Sequence, residues 1–254
     1  MRFDYYTPCN ALMPFVQSFV ISEADEEKAY KVLPSLNVVI GFQYRGKLKV
    51  IKNGQDSSLS NYGVTGLQDS YKIFQNSAGI GSVLVYFKVT GAALFFSEPL
   101  HELYGQSLSL DNFILRSELL ILEEQLCEAK TDVKRINLVE QFLVSRLKEK
   151  KVDMIVSSAV ALIYQHGGNI RISEIAKKLN ISESPLEKRF RRIVGASPKK
   201  FSSLVRLKQA IEQFNPQTSL TALGYATGFY DQSHFIKEFK TFTGLTPEHF
   251  FDSK

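Results

Sequence analysis

Cysteine is scarce in this chain: 254 residues hold two, Cys9 and Cys127, with no C-x-x-C spacing and no histidine beside either. That excludes a zinc-finger arrangement, and cysteines so far apart read as free structural thiols of a reducing compartment. Histidine is sparse as well, with four in all. Residues 1–150 contain only His101, so the close set of histidines and a carboxylate that a metal-dependent oxidation or isomerisation needs is missing. The sequence also has no His-x-His pair, Gly-x-Ser-x-Gly elbow, phosphate-binding glycine loop or Cys/His dyad, so neither an enzyme nor a cofactor is expected. Long apolar runs are lacking too. None approaches the roughly 20 residues needed to cross a bilayer, and MRFDYYTPCN lacks the basic-then-apolar order of a signal peptide. The expectation is a cytoplasmic protein with no membrane partner.

What is present is the composition of an ordinary globular protein, 44% hydrophobic and 22% charged, at a length that suggests two domains of roughly 100–200 residues each. Charge is spread unevenly. Residues 1–150 carry 16 Lys and Arg against 17 Asp and Glu, whereas residues 151–254 carry 15 against 9. The basic excess lies in the C-terminal part, where it favours a polyanionic partner.

The first hundred residues have the pattern of short strands. VVIGFQYRG sets Val38, Ile40, Phe42 and Tyr44 on one face, KLKVIK follows Gly46, and GSVLVYFKV repeats Val83, Val85, Phe87 and Val89 at period two. Glycine punctuation, including Asn53-Gly54, separates the strands in the manner of a small sandwich or barrel. After Asp111 the period changes. Leu115, Leu119, Leu122 and Leu126, then Ile136, Val139, Leu143 and Leu147, recur at helical spacing and predict two amphipathic helices. Their stripes can pack within the chain or form a dimer seam, and intramolecular packing is the first expectation. The charged stretch from Arg146 to Asp153 reads as an interdomain connection or a solvated helix end.

Beyond it the chain repeats itself. Ile181-Ser182-Glu183-Ser184-Pro185-Leu186-Glu187-Lys188-Arg189-Phe190 matches Tyr230-Asp231-Gln232-Ser233-His234-Phe235-Ile236-Lys237-Glu238-Phe239 at an offset of 49, and the match continues through Gly195 and Gly244, Pro198 and Pro247, and Phe201 and Phe250. Each copy follows a short helical segment, SEIAKKLN or LTALGYATG, so each reads as helix, tight turn, helix. Ser173 is the expected cap of the first short helix, with Asn180 and Gly228 closing the short helices in the left-handed conformation. Ser182 and Asp231 stand at matching positions as caps of the second helix of each unit.

In those second helices Leu186 and Phe190, or Phe235 and Phe239, fall at i and i+4 on the inward face. The opposite face presents Ser184, Glu187 and Lys188 in the first unit and Ser233, Ile236 and Lys237 in the second. A helix is the element that fits the major groove, and its N-terminal residues reach base edges first. PKKFSSLVRLKQAIEQF between the units forms a spacer helix of about 16 residues and roughly 24 Å. Two recognition helices held this way can enter successive major grooves and read two adjacent half-sites of double-stranded DNA.

These C-terminal residues resemble the DNA-binding domain of the AraC/XylS family of bacterial transcription regulators. GFYDQSHFIKEFKTFTGLTPEHF is the closest stretch and ISEIAKKLNISESPLEKRFRRIVGASPKKF its partner. The resemblance places base-reading positions on Ser184, Glu187 and Lys188 in the first unit and on Gln232, Ser233 and Lys237 in the second. With the caps Ser182 and Asp231, the apolar contact Ile236 and the basic Arg191, these make up the candidate DNA-contacting set. Lys177, Lys178, Arg191, Arg192, Lys199 and Lys200 form solvated faces, some of which touch phosphate. His234 reads as a phosphate contact or a structural residue, not a metal ligand. Gly224 stands where the family usually has alanine, which loosens the second unit by up to about 1 kcal/mol.

The resemblance also implies an α+β architecture. Residues 1–110 would form a β-rich, cupin-like barrel that senses a small molecule, residues 111–150 a helical linker and dimerisation segment, and residues 151–254 an all-α domain of two helix-turn-helix units. The implied partners are DNA, a small-molecule effector, a second copy of the chain and RNA polymerase. Two other readings of the N-terminal half stay open: a protein-interaction domain without ligand, and a cupin-type enzyme. Phe42, Tyr44, Tyr71, Phe74, Tyr86 and Phe87 can line a pocket, although aromatics at strand spacing more often form plain core.

Overall fold

The computed structural model describes residues 1–52, 54–147 and 152–252. Asn53 of the predicted Asn53-Gly54 turn, and residues 148–151 of the predicted connection, lie outside the described residues. The chain first forms β1 (Arg2–Tyr6), β2 (Val16–Ala24), β3 (Lys28–Val32), β4 (Val39–Arg45), β5 (Leu48–Lys52), β6 (Gln55–Ser58), β7 (Tyr62–Thr65), β8 (Lys72–Asn76), β9 (Ile80–Phe87) and β10 (Ser107–Ser109). They pair as two antiparallel sheets, one in the order β1-β2-β9-β4-β7-β10 and one in the order β3-β8-β5-β6. The sheets face each other in a cupin-like arrangement without closing into a single hydrogen-bonded barrel.

Period-two patterning gives the larger sheet two unlike faces. Phe19, Ile21, Ile40, Phe42, Tyr44, Val83, Val85 and Phe87 point to one side, where they form a core with Leu119, Leu122 and Leu126 of α1 (Arg116–Glu128) and Ile136, Val139 and Leu143 of α2 (Asp132–Val144). The helical stripes are therefore buried within the chain. Leu115 departs from its predicted stripe: it stands just before α1 and is 70% exposed. The other face of the sheet, carrying Ser22, Gly41, Gln43, Gly63, Thr65, Ser82, Leu84 and Tyr86, looks across a cavity of about 1080 Å³ at Tyr30, Phe74, Asn76 and Leu48 of the smaller sheet.

The helical part follows as α3 (Met154–Gln165), α4 (Ile172–Lys178), α5 (Glu183–Val194), α6 (Pro198–Glu212), α7 (Leu220–Ala226), α8 (Gln232–Thr243) and α9 (Pro247–Asp252). Its core joins Val156, Ile163, Ile175, Leu186, Phe190, Phe201, Leu204, Phe235 and Phe239. Leu36 and Leu67 from the β-rich part are buried in this same cluster. The 3-10 turn Leu100–Leu103 packs against α5, and Lys200 Nζ lies 2.8 Å from Asp69 Oδ2. Burial opposes the ionised form of Asp69, but the Lys200 ammonium holds its carboxyl below the usual carboxylate range.

Candidate nucleic-acid interface

Each unit is a short helix, a left-handed turn and a longer helix. In the first, Leu179 is the C-cap of α4 and Asn180 takes φ 50° before α5 begins. Asparagine tolerates this region because its short polar side chain bonds locally. In the second, Thr227 is the C-cap of α7 and Gly228 takes φ 82° before α8 begins. The predicted closures at Asn180 and Gly228 are both seen.

The caps differ from expectation. Ser173 lies inside α4, because Arg171 already has the extended conformation of a capping position, with φ −71° and ψ 143°, and makes no side-chain bond there. Ser182 occupies the N-cap position of α5 without making a capping bond. Asp231 caps α8 fully, its Oδ1 accepting from the His234 amide at 2.8 Å. In the second unit Ser219 also caps α7, accepting from the Ala222 amide at 3.1 Å.

Leu186, Phe190 and Val194 of α5, and Phe235, Phe239 and Phe242 of α8, are buried. Ser184, Glu187, Lys188 and Arg191 therefore share the solvent side of α5, and Gln232, Ser233 and Lys237 that of α8, while Ile236 is half-buried. Glu187 stands 3.8 Å from Arg191 at i and i+4. The pairing places a cation beside this carboxylate, which a polyanion would otherwise repel. His234 sits 3.5 Å from Glu238, and a cap-bonded Asp231 has less freedom to approach a base than the residues that follow it. Sequence patterning missed Tyr230, 90% exposed just before α8, and Tyr225, 61% exposed on α7. The available signal for Tyr230 was its repeat partner, the half-buried Ile181.

A polar joint fixes one unit against the other. Arg206 of α6 donates from Nη1 to Gly168 O at 2.7 Å in the first unit, and its guanidinium lies 5.4 Å from the centre of the Phe229 ring in the second. Burial lowers the pKa of this guanidinium, with Glu238 working the other way. Gly228 and Asn169 touch so closely that a Cβ at 228 would fall 1.6 Å from Asn169 Oδ1, so this contact needs glycine for space as well as for its positive φ. The spacer α6 has 15 residues and so spans roughly 22 Å.

A family model described as a helix-turn-helix domain matches residues 175–253, and one described as a domain of unknown function matches residues 4–109. The chain is similar to the Msm operon regulatory protein of Streptococcus mutans, 35% identical over 117 residues, which cover 44% of this chain and 42% of that protein. It is also similar to the arabinose operon regulatory protein of Escherichia coli, 30% identical over 124 residues, which cover 45% of this chain and 42% of that one. The matches thus span about two fifths of the length of these curated relatives. Among solved structures, ToxT from Vibrio cholerae aligns over 94% of this chain and 98% of its own, with a TM-score of 0.49 and 12% identity.

Proposed function

The chain carries the double helix-turn-helix domain of the AraC/XylS family of transcription regulators, and on that premise we propose that it is a cytoplasmic, sequence-specific DNA-binding regulator controlled by a small molecule. The carrying observation is the repetition itself: α5 and α8 turn equivalent side chains, 49 residues apart, toward solvent while equivalent phenylalanines hold their inner faces. Lys188 and Lys237 read base edges, with Ser184, Glu187, Gln232 and Ser233 beside them and Ile236 in apolar contact. Arg191 and the flanking cations supply the salt-dependent phosphate contacts. Changing Lys188 or Lys237 to alanine is expected to weaken binding to a duplex selected from a random pool by about 1–3 kcal/mol more than binding to unselected duplex. Equal losses on the two duplexes would overturn direct readout there.

Residues 1–110 form the sensor in this reading, residues 111–150 the supporting helices and residues 151–254 the DNA reader. The cavity between the sheets favours a ligand over a plain interaction domain. Its wall includes the polar residues Gln43, Asn76, Gln68 and Ser109, each of which also has a buried side-chain atom without a hydrogen-bond partner among the described residues. A ligand bearing both donors and acceptors suits such a mixed polar wall, because leaving buried polar groups unpaired costs about 1–3 kcal/mol each. Thermal-shift screening of the full chain against metabolites tests this, since a ligand at 100 times its Kd adds about 2.7 kcal/mol. A screen without a shift would favour the interaction-domain reading. A second copy of the chain and RNA polymerase complete the set of partners, and the exposed Leu115, Leu120 and Ile121 offer an apolar surface to a protein.

A further inference from the structure

The two recognition helices are anchored twice, at repeat-equivalent points. The first anchor lies six residues before the closing glycine of each helix. Arg189 of α5 bonds Asp153, the residue that caps α3, with Nε and Nη2 each 2.8 Å from Oδ2. Its repeat partner Glu238 of α8 accepts from Ser203 Oγ of α6 at 2.5 Å. Both of these anchors lie inside the helical domain.

The second anchor comes from outside it. Helix α5 closes at Gly195 with φ 95°, and α8 at the equivalent Gly244 with φ 79°. A Cβ at Gly195 would stand 3.1 Å from Leu100 O, and one at Gly244 only 2.5 Å from the Tyr71 ring. Beside Gly244, Lys31 Nζ donates to Thr243 O at 3.0 Å while lying 4.6 Å from the centre of the Tyr71 ring. An ammonium on the last carbonyls of a helix is the favourable sign for the helix dipole. On the Gly195 side the Asp69–Lys200 pair ties the N-terminal part to the first turn of α6, the helix that follows α5 directly.

A helix held at one point can pivot, whereas two points define its axis. Groups that read a partner must be held within about 0.5 Å of their working geometry. We propose that the N-terminal domain is itself part of the DNA reader and holds both recognition helices at their closing glycines. Lys31 is the positioning residue for α8, and Asp69, through Lys200 at the start of α6, is the positioning residue for the adjoining end of α5. This rests on the chain being a sequence-specific DNA-binding protein.

Selection from a random duplex pool with the full chain tests it, each half of the selected motif being assigned to a helix by Lys188→Ala and Lys237→Ala. Lys31→Met is expected to lower the sequence preference at the half read by α8 about two- to fivefold, with the other half unchanged. Tyr71→Leu, which removes the ring under the ammonium, should act in the same direction, and Lys31→Arg should restore the preference. Asp69→Asn should lower preference at the half read by α5. Unaltered preference in Lys31→Met and Asp69→Asn overturns the proposal. So does a uniform loss on all duplexes with a salt slope reduced by about one, because that is the signature of a phosphate contact. If the unsubstituted chain selects no motif, the DNA-binding reading has failed instead.

Discussion

The two helix-turn-helix units share a sequence pattern but hold themselves together differently. The first has no side-chain capping bond on either helix, at Arg171 or at Ser182, and depends on its packing. Its core is largely aliphatic, with Phe190 and Phe201 in edge contact at 5.6 Å. The second caps both helices, through Ser219 and Asp231, and fills its core with phenylalanine: Phe239 meets Phe235, Phe250 and Phe251 at 5.3–5.5 Å. Gly224 predicts a loosened second unit, at up to about 1 kcal/mol. Two caps at about 1 kcal/mol each more than offset that. Repetition of a pattern thus fixes geometry and leaves the source of stability free to vary.

The strongest way to break the comparison is to remove the central ring from each unit. Phe190→Ala and Phe239→Ala should each cost about 3–5 kcal/mol. The second should lie at the upper end, because each lost ring pair adds about 0.5–1.5 kcal/mol beyond buried area. Urea unfolding with hydrogen exchange resolved by unit would show it. A larger loss for Phe190→Ala would mean that the aliphatic core, with the N-terminal 3-10 turn against it, is the tighter one.

The caps give a smaller and cleaner contrast. Asp231→Ala should cost about 1 kcal/mol by loss of its bond to the His234 amide. Ser182→Ala should change stability by less than about 0.5 kcal/mol, the usual range for a surface substitution away from special contacts. Equal costs in the two variants, measured by the same unfolding experiment, would show that Ser182 caps α5 in solution and that the units are more alike than they look.

The repeat was legible in the sequence because helical spacing, turn residues and the offset of 49 are local signals. The cavity was not, for a physical reason. Period two separates an apolar face from a polar one, but it cannot tell a polar face turned to bulk water from one turned into an enclosed space. Ser22, Gln43 and Ser82 look like solvent positions in sequence, yet each is nearly buried. The aromatics illustrate the same limit. Phe42, Tyr44 and Phe87 went to the core behind the sheet, Phe74 and Tyr86 line the cavity, and Tyr71 left both to meet Gly244. The link from Lys31 to Thr243 joins residues 212 apart in sequence, and local patterning carries no signal for such a pairing. Arg189 and Glu238 were visible as repeat partners, but their opposite charges concealed an equivalent role.

Gly224→Ala offers the finest adjustment, because it would restore the residue the helix propensity favours without touching the solvent-facing side chains of α8. A Cβ at this position would lie 3.4 Å from Cγ and Cδ1 of Phe235, at the tight edge of van der Waals contact. Gly224 also lies within α7, where alanine adopts the same backbone without strain. The expected result is a gain of about 0.4–1 kcal/mol, drawn chiefly from the reduced freedom of the unfolded chain. It should appear as slower hydrogen exchange in α7 and α8, with α4 and α5 unchanged. A loss instead of a gain would mean that Phe235 cannot yield the few tenths of an ångström the methyl group needs. The glycine would then be part of how the second unit packs, and the asymmetry between the units would extend from their caps into their cores.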